Sequence, residues 1–405
     1  MTTILLILLY LLLIIVTVYN MYFLITSIFA FKKKKTPHNN NYKENFFSIL
    51  IPARNEEEVI GNLLKSLKKL NYNKDKYEIN VVLNNCTDNT YTIAKNENVN
   101  VIKCENKIKS KGDALKEVFN TLKYRNIDAY VIFDADNIVD SDFLKYMNES
   151  LNNGYKVAQG FRELKNKKNN WLSYSYALYY YIQNFFFNEA RKKCKSSSSI
   201  NGTGLMIKKE VIDKIGFNTK TLTEDLEFTG ICALNNIKID YVDKAITYDE
   251  EPTSLIISFI QRIRWIRGDI DCLKNYYKLL INKIISSKSK EALDCLFIYL
   301  APITNLFSTI VFILTLIVKD SFRISLISFA LITLLSYTIC TFLVIHYNKK
   351  ILHYLSGIIM FPIFLLTWTP ITMVSLFNKK IEWKHISHKE KIQIEEIHHQ
   401  LKYNN

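Results

Sequence analysis

The chain has 405 residues and a mass of 47.5 kDa, with 53 lysines and arginines against 38 aspartates and glutamates, a formal net charge of +15. A hydrophobic share of 49% beside 22% charged residues excludes intrinsic disorder and collagen-like repeats. Apolar residues crowd both ends and charged residues fill the middle. A soluble globular protein does not partition this way, so the question is what a basic chain with apolar ends does at a membrane.

Residues 3–31 carry no charge, and Lys32, Lys33, Lys34 and Lys35 follow at once. At about 1.5 Å of rise per residue the stretch is long enough for a hydrocarbon core of about 30 Å. A secretory signal peptide has its basic residues before the apolar run and a cleavage site after it. The charge here is on the other side and the run is too long, so residues 1–31 are expected to be an uncleaved anchor. The positive-inside rule puts the four lysines, and the chain beyond them, in the cytoplasm. The expected location is the cell membrane, multi-pass, with the catalytic domain cytoplasmic.

Residues 45–250 alternate between β-rich runs and helical patterns. Strands are predicted at 47–51, 77–83, 101–103, 129–133 and 156–158, and helices at 56–70, 88–96, 111–123 and 142–151. This alternation predicts an α/β domain with a mostly parallel sheet covered on both faces, whose ligands gather at the carboxyl ends of the strands.

Four features stand where strands end or a helix begins: Pro52-Ala53-Arg54-Asn55-Glu56-Glu57, Asn84-Asn85-Cys86-Thr87-Asp88-Asn89-Thr90, Asp134-Ala135-Asp136 and Thr223-Glu224-Asp225. Two carboxylates at i and i+2 after a buried strand can converge on one hard cation such as Mg²⁺ or Mn²⁺; a solvated turn is the competing reading. No histidine lies between Asn39 and Ile345, so if the middle is a catalytic domain a histidine within it cannot be the general base, and a carboxylate is the natural substitute. Glu224 and Asp225 are candidates, but acids at a helix start also simply suit the helix dipole.

Residues 251–292 are expected to be interfacial helices carrying Gln261-Arg262-Ile263-Arg264-Trp265. On a helix Gln261 and Trp265 share a face, with Arg264 beside them. Arg262 and Arg264 suit a diphosphate, and Trp265 offers a flat face for a sugar or base; a basic helix facing anionic lipid is the alternative. Within 293–377 three hydrophobic segments follow, at 293–318, 324–347 and 351–377, the third broken by Pro362 and Pro370. If all three span, the tail 378–405 lies outside, yet Lys379, Lys380, Lys384, Lys389 and Lys391 favour the inside. The third segment is therefore expected not to span fully. The seven cysteines form no CxxC pair and imply neither a disulfide framework nor a zinc site. Nothing in the chain resembles a nucleic-acid-binding module.

Taken in order, IPARNEE, NNCTDNT, KGDAL, FDAD, QGFRELKNKKNNW, NGTG, TEDLEF and QRIRW make the chain similar to a membrane-bound family 2 glycosyltransferase of the hyaluronan, chitin and cellulose synthase-like branch, including poly-N-acetylglucosamine synthases. The resemblance runs from Phe47 to Gly268 and the flanking apolar segments match that layout. It implies a glycosyltransferase A-type nucleotide-sugar-binding domain. By the same resemblance Asp134 and Asp136 match the metal-binding pair, with Mg²⁺ or Mn²⁺ as cofactor, and Asp225 matches the general base. Ala53, Glu56, Asn84, Lys111 and Asp134 match the nucleotide-sugar contacts. Gly202, Thr203, Gly204, Glu224, Gln261, Arg262, Arg264 and Trp265 match the acceptor and diphosphate contacts. Asn84 departs from the family's usual aspartate; it keeps donor and acceptor groups for a base edge and loses the charge. The partners implied are a nucleotide-diphospho-sugar such as a UDP-sugar, a glycan or lipid acceptor, membrane lipid, and a second copy or an accessory subunit. The expected activity is metal-dependent inverting transfer to a polysaccharide or glycan, the alternative being transfer of one sugar to a lipid carrier. A degenerate, non-catalytic scaffold has only Asn84 in its favour.

Overall fold

The uncharged N-terminal stretch forms one helix, α1 (Thr2–Ile28), closed by a 3-10 turn at Phe29–Phe31. The computed structural model describes residues 2–33, 43–106, 108–166, 169–317, 322–377 and 391–397. Lys34 and Lys35, and Lys379, Lys380, Lys384 and Lys389 of the tail, lie outside the described residues.

Strands β1 (Phe47–Ala53), β2 (Tyr77–Leu83), β3 (Asn100–Lys103), β4 (Ala129–Ile132), β5 (Ile138–Val139), β6 (Val157–Leu164), β7 (Leu205–Lys208) and β8 (Ile239–Asp249) form, among the described residues, one sheet of order β3-β2-β1-β4-β7-β6-β8-β5. Helices α2 (Ile60–Lys68), α3 (Thr90–Asn96), α4 (Lys111–Thr121), α5 (Phe143–Asn152), α6 (Trp171–Ile182), α7 (Ala190–Lys193), α8 (Lys209–Ile215) and α9 (Glu224–Leu234) accompany it, with a π-helical stretch, Gln183–Glu189, between α6 and α7. Side chains of β1 alternate between two cores: Phe47, Ile49, Ile51 and Ala53 meet Leu63 of α2 and Phe143 of α5, while Leu50 meets Leu115 of α4 and Phe228 of α9. Burial on both faces is what a continuous apolar run such as FSILI requires. Helix α4 starts sharply because Ser110 and Asp113 cap each other's backbone.

Four of the seven strand pairings are parallel (β1–β2, β1–β4, β2–β3, β6–β8) and three antiparallel (β4–β7, β6–β7, β5–β8). Strands β5, β7 and β8 escaped the sequence reading. β7 is short, and β8 contains Asp240, a charge the pattern reads as solvent-facing. Asp240 is in fact buried, accepting from Ser150 Oγ at 2.7 Å and pairing with Lys192 at 2.8 Å.

Beyond the sheet come α10 (Leu255–Ser287), α11 (Lys290–Tyr299), α12 (Ala301–Ile317), α13 (Phe322–His346), α14 (Ile351–Leu366) and α15 (Trp368–Phe377). By length and apolarity Ile4–Phe31, Leu326–His346 and Ile351–Phe377 could each cross a membrane, as could α11 with α12 taken together despite a 53° bend between them. That sharp bend falls in the first C-terminal segment; the third continues from α14 to α15 around Thr367.

Helix α1 runs alongside α11 and α12, with Tyr22 on Asp294 and Leu9 and Leu12 on Leu314. Helices α14 and α15 pack on α6 and α10 along their length. Tyr354 bonds Tyr181 at 2.9 Å, Gly357 lies against Tyr174, Phe364 packs on Tyr176, Thr367 accepts from Arg262, and Ile371 packs on Ile266 and Ile270. In the tail, Ile392, Ile394 and Ile397 bury against Ile138 and Tyr248, and Lys391 pairs with Glu58.

One buried ion pair clasps these parts. Arg191 meets Asp294 through two bonds of 2.6 and 2.7 Å, its guanidinium lies 3.3 Å from the centre of the Phe187 ring, and Tyr22 donates to the same carboxylate at 2.8 Å. Removing one member strands a buried charge, at a cost of about 3–5 kcal/mol. Asp294→Ala should therefore lower the thermal unfolding midpoint of the detergent-solubilised protein by several degrees, whereas Lys156→Ala, which breaks the exposed Lys156–Glu210 pair, should leave it in place.

Candidate active site

Because β1, β2 and β4 are parallel neighbours, their carboxyl ends open on the same edge of the sheet. The loops after β1 and β2 are tied to each other. Asn84 N donates to Ala53 O at 2.9 Å, Thr87 N to Asn55 Oδ1 at 2.8 Å, Glu56 N to Thr90 Oγ1 at 2.9 Å, and Glu57 N to Asp88 Oδ2 at 3.0 Å. Asn55 and Asn85 take positive φ angles of 58° and 50°, which asparagine tolerates better than most residues and which let each loop double back. Ala53 and Asn84 are buried at this rim.

Lys111, at the start of α4, is the hub of the next layer. Its ammonium binds Asp134 Oδ1 at 2.5 Å and Gly202 O at 2.7 Å, and lies 3.7 Å from Glu224 Oε1. Burial works against the charge, but Asp134 and Glu224 outweigh it and raise the lysine pKa. Asp134 N donates to Asn137 Oδ1 at 3.0 Å and to Thr203 Oγ1 at 3.2 Å, so the NGTG loop is bonded to the DxD turn. Asp136 is buried, and Lys165 Nζ holds its backbone carbonyl at 2.6 Å. Among the described residues no three His, Cys, Asp or Glu side chains gather to hold a metal by themselves. Asp134 and Asp136 offer oxygen donors only, the type that Mg²⁺ and Mn²⁺ prefer.

Gly202, with φ of 91°, brings its backbone against the start of α9: a Cβ there would stand 3.4 Å from Asp225 Oδ2. Burial, and then the neighbouring Asp225, push the Glu224 carboxyl up to about 7, with Lys111 pulling the other way. Burial also raises the pKa of Asp225, again against Lys111. Helix α10 reaches this point through Gly268, where a Cβ would fall 2.2 Å from Thr223 Oγ1. One turn on, Cys272 Sγ lies 3.5 Å from Thr221 Oγ1 and 3.9 Å from Thr223 Oγ1. Arg264 and Gln261 lie one and two turns before Gly268 along the same side, and Trp265 is beside them. Gln261 Oε1 and Arg264 Nε are buried atoms without a hydrogen-bond partner among the described residues. Arg262 does not join them. Its guanidinium is buried at 4.6 Å from the Phe364 ring centre and 5.2 Å from that of Trp368, and it donates to Thr367 Oγ1 at 2.8 Å.

Residues 44–268, more than half of the chain, match Glycosyltransferase like family 2. The chain belongs to glycosyltransferase family 2. It is 32% identical over 253 residues to the probable glycosyltransferase YdaM of Bacillus subtilis, covering 59% of each protein. It is 27% identical over 256 residues to a β-monoglucosyldiacylglycerol synthase of Nostoc sp., covering 60% of this chain and 53% of that protein. It is 24% identical over 324 residues to a poly-β-1,6-N-acetyl-D-glucosamine synthase of Staphylococcus epidermidis, covering 75% and 76%. The first two matches thus span little more than half of those relatives. Among solved structures, the mannosyltransferase PcManGT of Pyrobaculum calidifontis, in complex with GDP-Man and Mn²⁺, superposes with a TM-score of 0.62 at 14% identity over 93% of this chain and 100% of that one, a likeness of fold.

Within this glycosyltransferase the structure brings together Lys111, Asp134, Gly202, Thr203, Glu224 and Asp225, and it sets Ala53, Glu56 and Asn84 on the adjoining strand ends. Gly204, with φ of 62°, turns the loop into β7, a Cβ there standing 2.7 Å from Thr247 Oγ1. Sequence reasoning missed Lys165 and the group of Arg162 with Asp249 and Glu251, a buried guanidinium between two carboxylates. The one signal was two basic residues, Arg162 and Lys165, inside a run of strand character.

Proposed function

We propose that this glycosyltransferase is embedded in the cell membrane and moves a sugar, with inversion, from a UDP-sugar to a hydroxyl at the end of a growing glycan. The observation that carries this reading is the Lys111 hub, which ties Asp134 on the donor side to Glu224 and the Gly202 loop on the base side. Ala53, Glu56 and Asn84 would hold the nucleoside, with the Asn84 amide pairing to a base edge. Asp134 and Asp136 would hold Mg²⁺ or Mn²⁺, whose charge, once bound, offsets that on the departing diphosphate. Arg264, with its unpartnered Nε, binds diphosphate oxygen, and Trp265 and Gln261 orient the acceptor. Asp225 takes the proton from the acceptor hydroxyl as its oxygen bonds the anomeric carbon and the bond from that carbon to the nucleoside diphosphate breaks. The Mn²⁺ of PcManGT supports the divalent ion, its GDP-Man supports the nucleotide-sugar class of donor, and the activity named for the poly-N-acetylglucosamine synthases supports the glycan acceptor.

A second reading, transfer of a single sugar to a lipid, is favoured by the Trp265–Trp368 stack at 6.4 Å, which joins the acceptor wall to an apolar helix, and by the diacylglycerol-modifying relatives. For the membrane part, α1, α12 and α13 cross, α14 and α15 lie along the cytoplasmic face beneath α6 and α10, and the tail returns to the catalytic unit. The contacts of α14 and α15 along their length, and the burial of Ile392, Ile394 and Ile397, support this order.

A C-terminal tag should accordingly be digested by protease added to sealed inside-out vesicles; protection of the tag would refute the topology. Incubating membranes with a panel of labelled nucleotide sugars should show consumption of a UDP-sugar with Mg²⁺ or Mn²⁺. Asp225→Asn should bind UDP as wild type does and lose about 10²–10⁴ in transfer rate. Since Asp225 must be ionised to accept a proton and its pKa is raised, the acid limb of kcat should lie above the ordinary aspartate range. Lys111→Met removes a cation that holds that pKa down, so the limb should move to higher pH.

A further inference from the structure

Asp269 has no part in the reading above, on which this inference rests. It follows Gly268 directly, at the point where α10 touches Thr223, and it stands one turn beyond Trp265 and two beyond Gln261 on the same side of the helix. Its side chain is half-buried and makes no hydrogen bond or ion pair among the described residues. It lies within electrostatic reach of Asp225, of Tyr179 on α6 and of Tyr19 on α1.

The cations around it are committed. Lys111 serves Asp134, Glu224 and Gly202 O; Arg162 serves Asp249 and Glu251; Arg267 pairs with Asp271 at 3.1 Å; Arg262 is buried on Thr367. Arg264 is taken by the donor diphosphate in the proposed reaction. Among these residues the acceptor side therefore has no cation left over to hold a phosphate on the acceptor, and the ionised Asp225 that the reaction requires repels one. We propose that Asp269 is a second acceptor-binding carboxyl, which hydrogen-bonds a hydroxyl of a neutral, polyhydroxylated acceptor next to the hydroxyl that Asp225 deprotonates. Burial, and then Asp225, push the Asp269 carboxyl up to about 8, so at neutral pH it keeps its proton and can both donate to and accept from a hydroxyl. A sugar at the end of a glycan and the glycerol of a diacylglycerol share this chemistry.

The test uses the full-length protein in nanodiscs with labelled UDP-N-acetylglucosamine and UDP-glucose. Three acceptor probes are supplied: a β-1,6-linked N-acetylglucosamine pentasaccharide, dioleoylglycerol and undecaprenyl phosphate. Wild type should transfer to one of the two hydroxyl probes, water-soluble product marking the glycan source and chloroform-soluble product the diacylglycerol. Asp269→Ala should raise the KM for that acceptor about tenfold, the worth of one hydrogen bond to a polar substrate group, with the donor KM within about twofold. Asp269→Asn, which keeps a donor and an acceptor, should restore the acceptor KM to within about threefold. The inference is overturned by an unchanged acceptor KM in Asp269→Ala, by an equal rise in both KM values, by preference for undecaprenyl phosphate, or by transfer to neither hydroxyl probe. If wild type consumes no nucleotide sugar from a wide panel, the donor reading itself fails and takes the inference with it. An active wild type with a silent Asp269→Ala refutes the inference alone.

Discussion

Helix α10 touches the loop ahead of Asp225 at Gly268, and the proposed chemistry depends on that approach. A Cβ at this position would overlap Thr223, so only glycine lets the helix come this close. The contact brings the start of α9 to the middle of α10, with Asp269 within electrostatic reach of Asp225. On its other side α10 packs Ile266 and Ile270 against Ile371 of α15. One helix thereby joins the carboxyl edge of the sheet to the apolar helices.

The charge of +15 is spent unevenly. Inside the protein the cations are matched: Lys111 with Asp134, Arg162 with Asp249 and Glu251, Arg191 with Asp294. Pairing of this kind is what burial of an ion demands, because an isolated buried charge is far more costly than a paired one. Arg262 is the exception, buried among Phe259, Tyr176, Phe364 and Trp368 and donating to Thr367 Oγ1 and the Ser258 carbonyl rather than to a carboxylate. Aromatic faces stabilise a guanidinium in part, and burial pulls its pKa below the ordinary value. This explains why the two arginines of QRIRW have different tasks: Arg264 lies on the side of α10 that meets the base loop, and Arg262 pins the helix to α14 and α15.

Much of this arrangement was legible in the sequence, and the boundary of legibility has a physical cause. Strands β1 and β2, the start of α4 and the acids opening α9 announce themselves because local pattern and tertiary role agree there. FSILI is apolar because both of its faces are covered, and KGDAL begins a helix because Ser110 and Asp113 cap it. What failed to show was set by partners distant in the chain. β8 contains an aspartate that is buried only because Ser150 and Lys192 meet it. Arg262 read as a phosphate ligand because nothing local reveals that Phe364 and Trp368 surround it. The 53° bend between α11 and α12 falls at Leu300, two residues before Pro302, a proline the sequence reading passed over, whereas Pro362 lies within the continuous helix α14. Counting charges left the tail ambiguous; three isoleucines packed on Ile138 and Tyr248 give it a place.

The most direct measurement of the central claim, that the Gly268 contact couples α10 to the base, is the transfer rate of Gly268→Ala in the full-length protein. Alanine favours a helix over glycine by about 1 kcal/mol, so the helix itself is not weakened. If the contact positions the base, kcat should fall about tenfold or more while the KM for the nucleotide sugar stays within about twofold, as expected when a reacting group is displaced by a fraction of an ångström. A Gly268→Ala enzyme with wild-type kcat would show that the base loop is held without α10 and would contradict the claim.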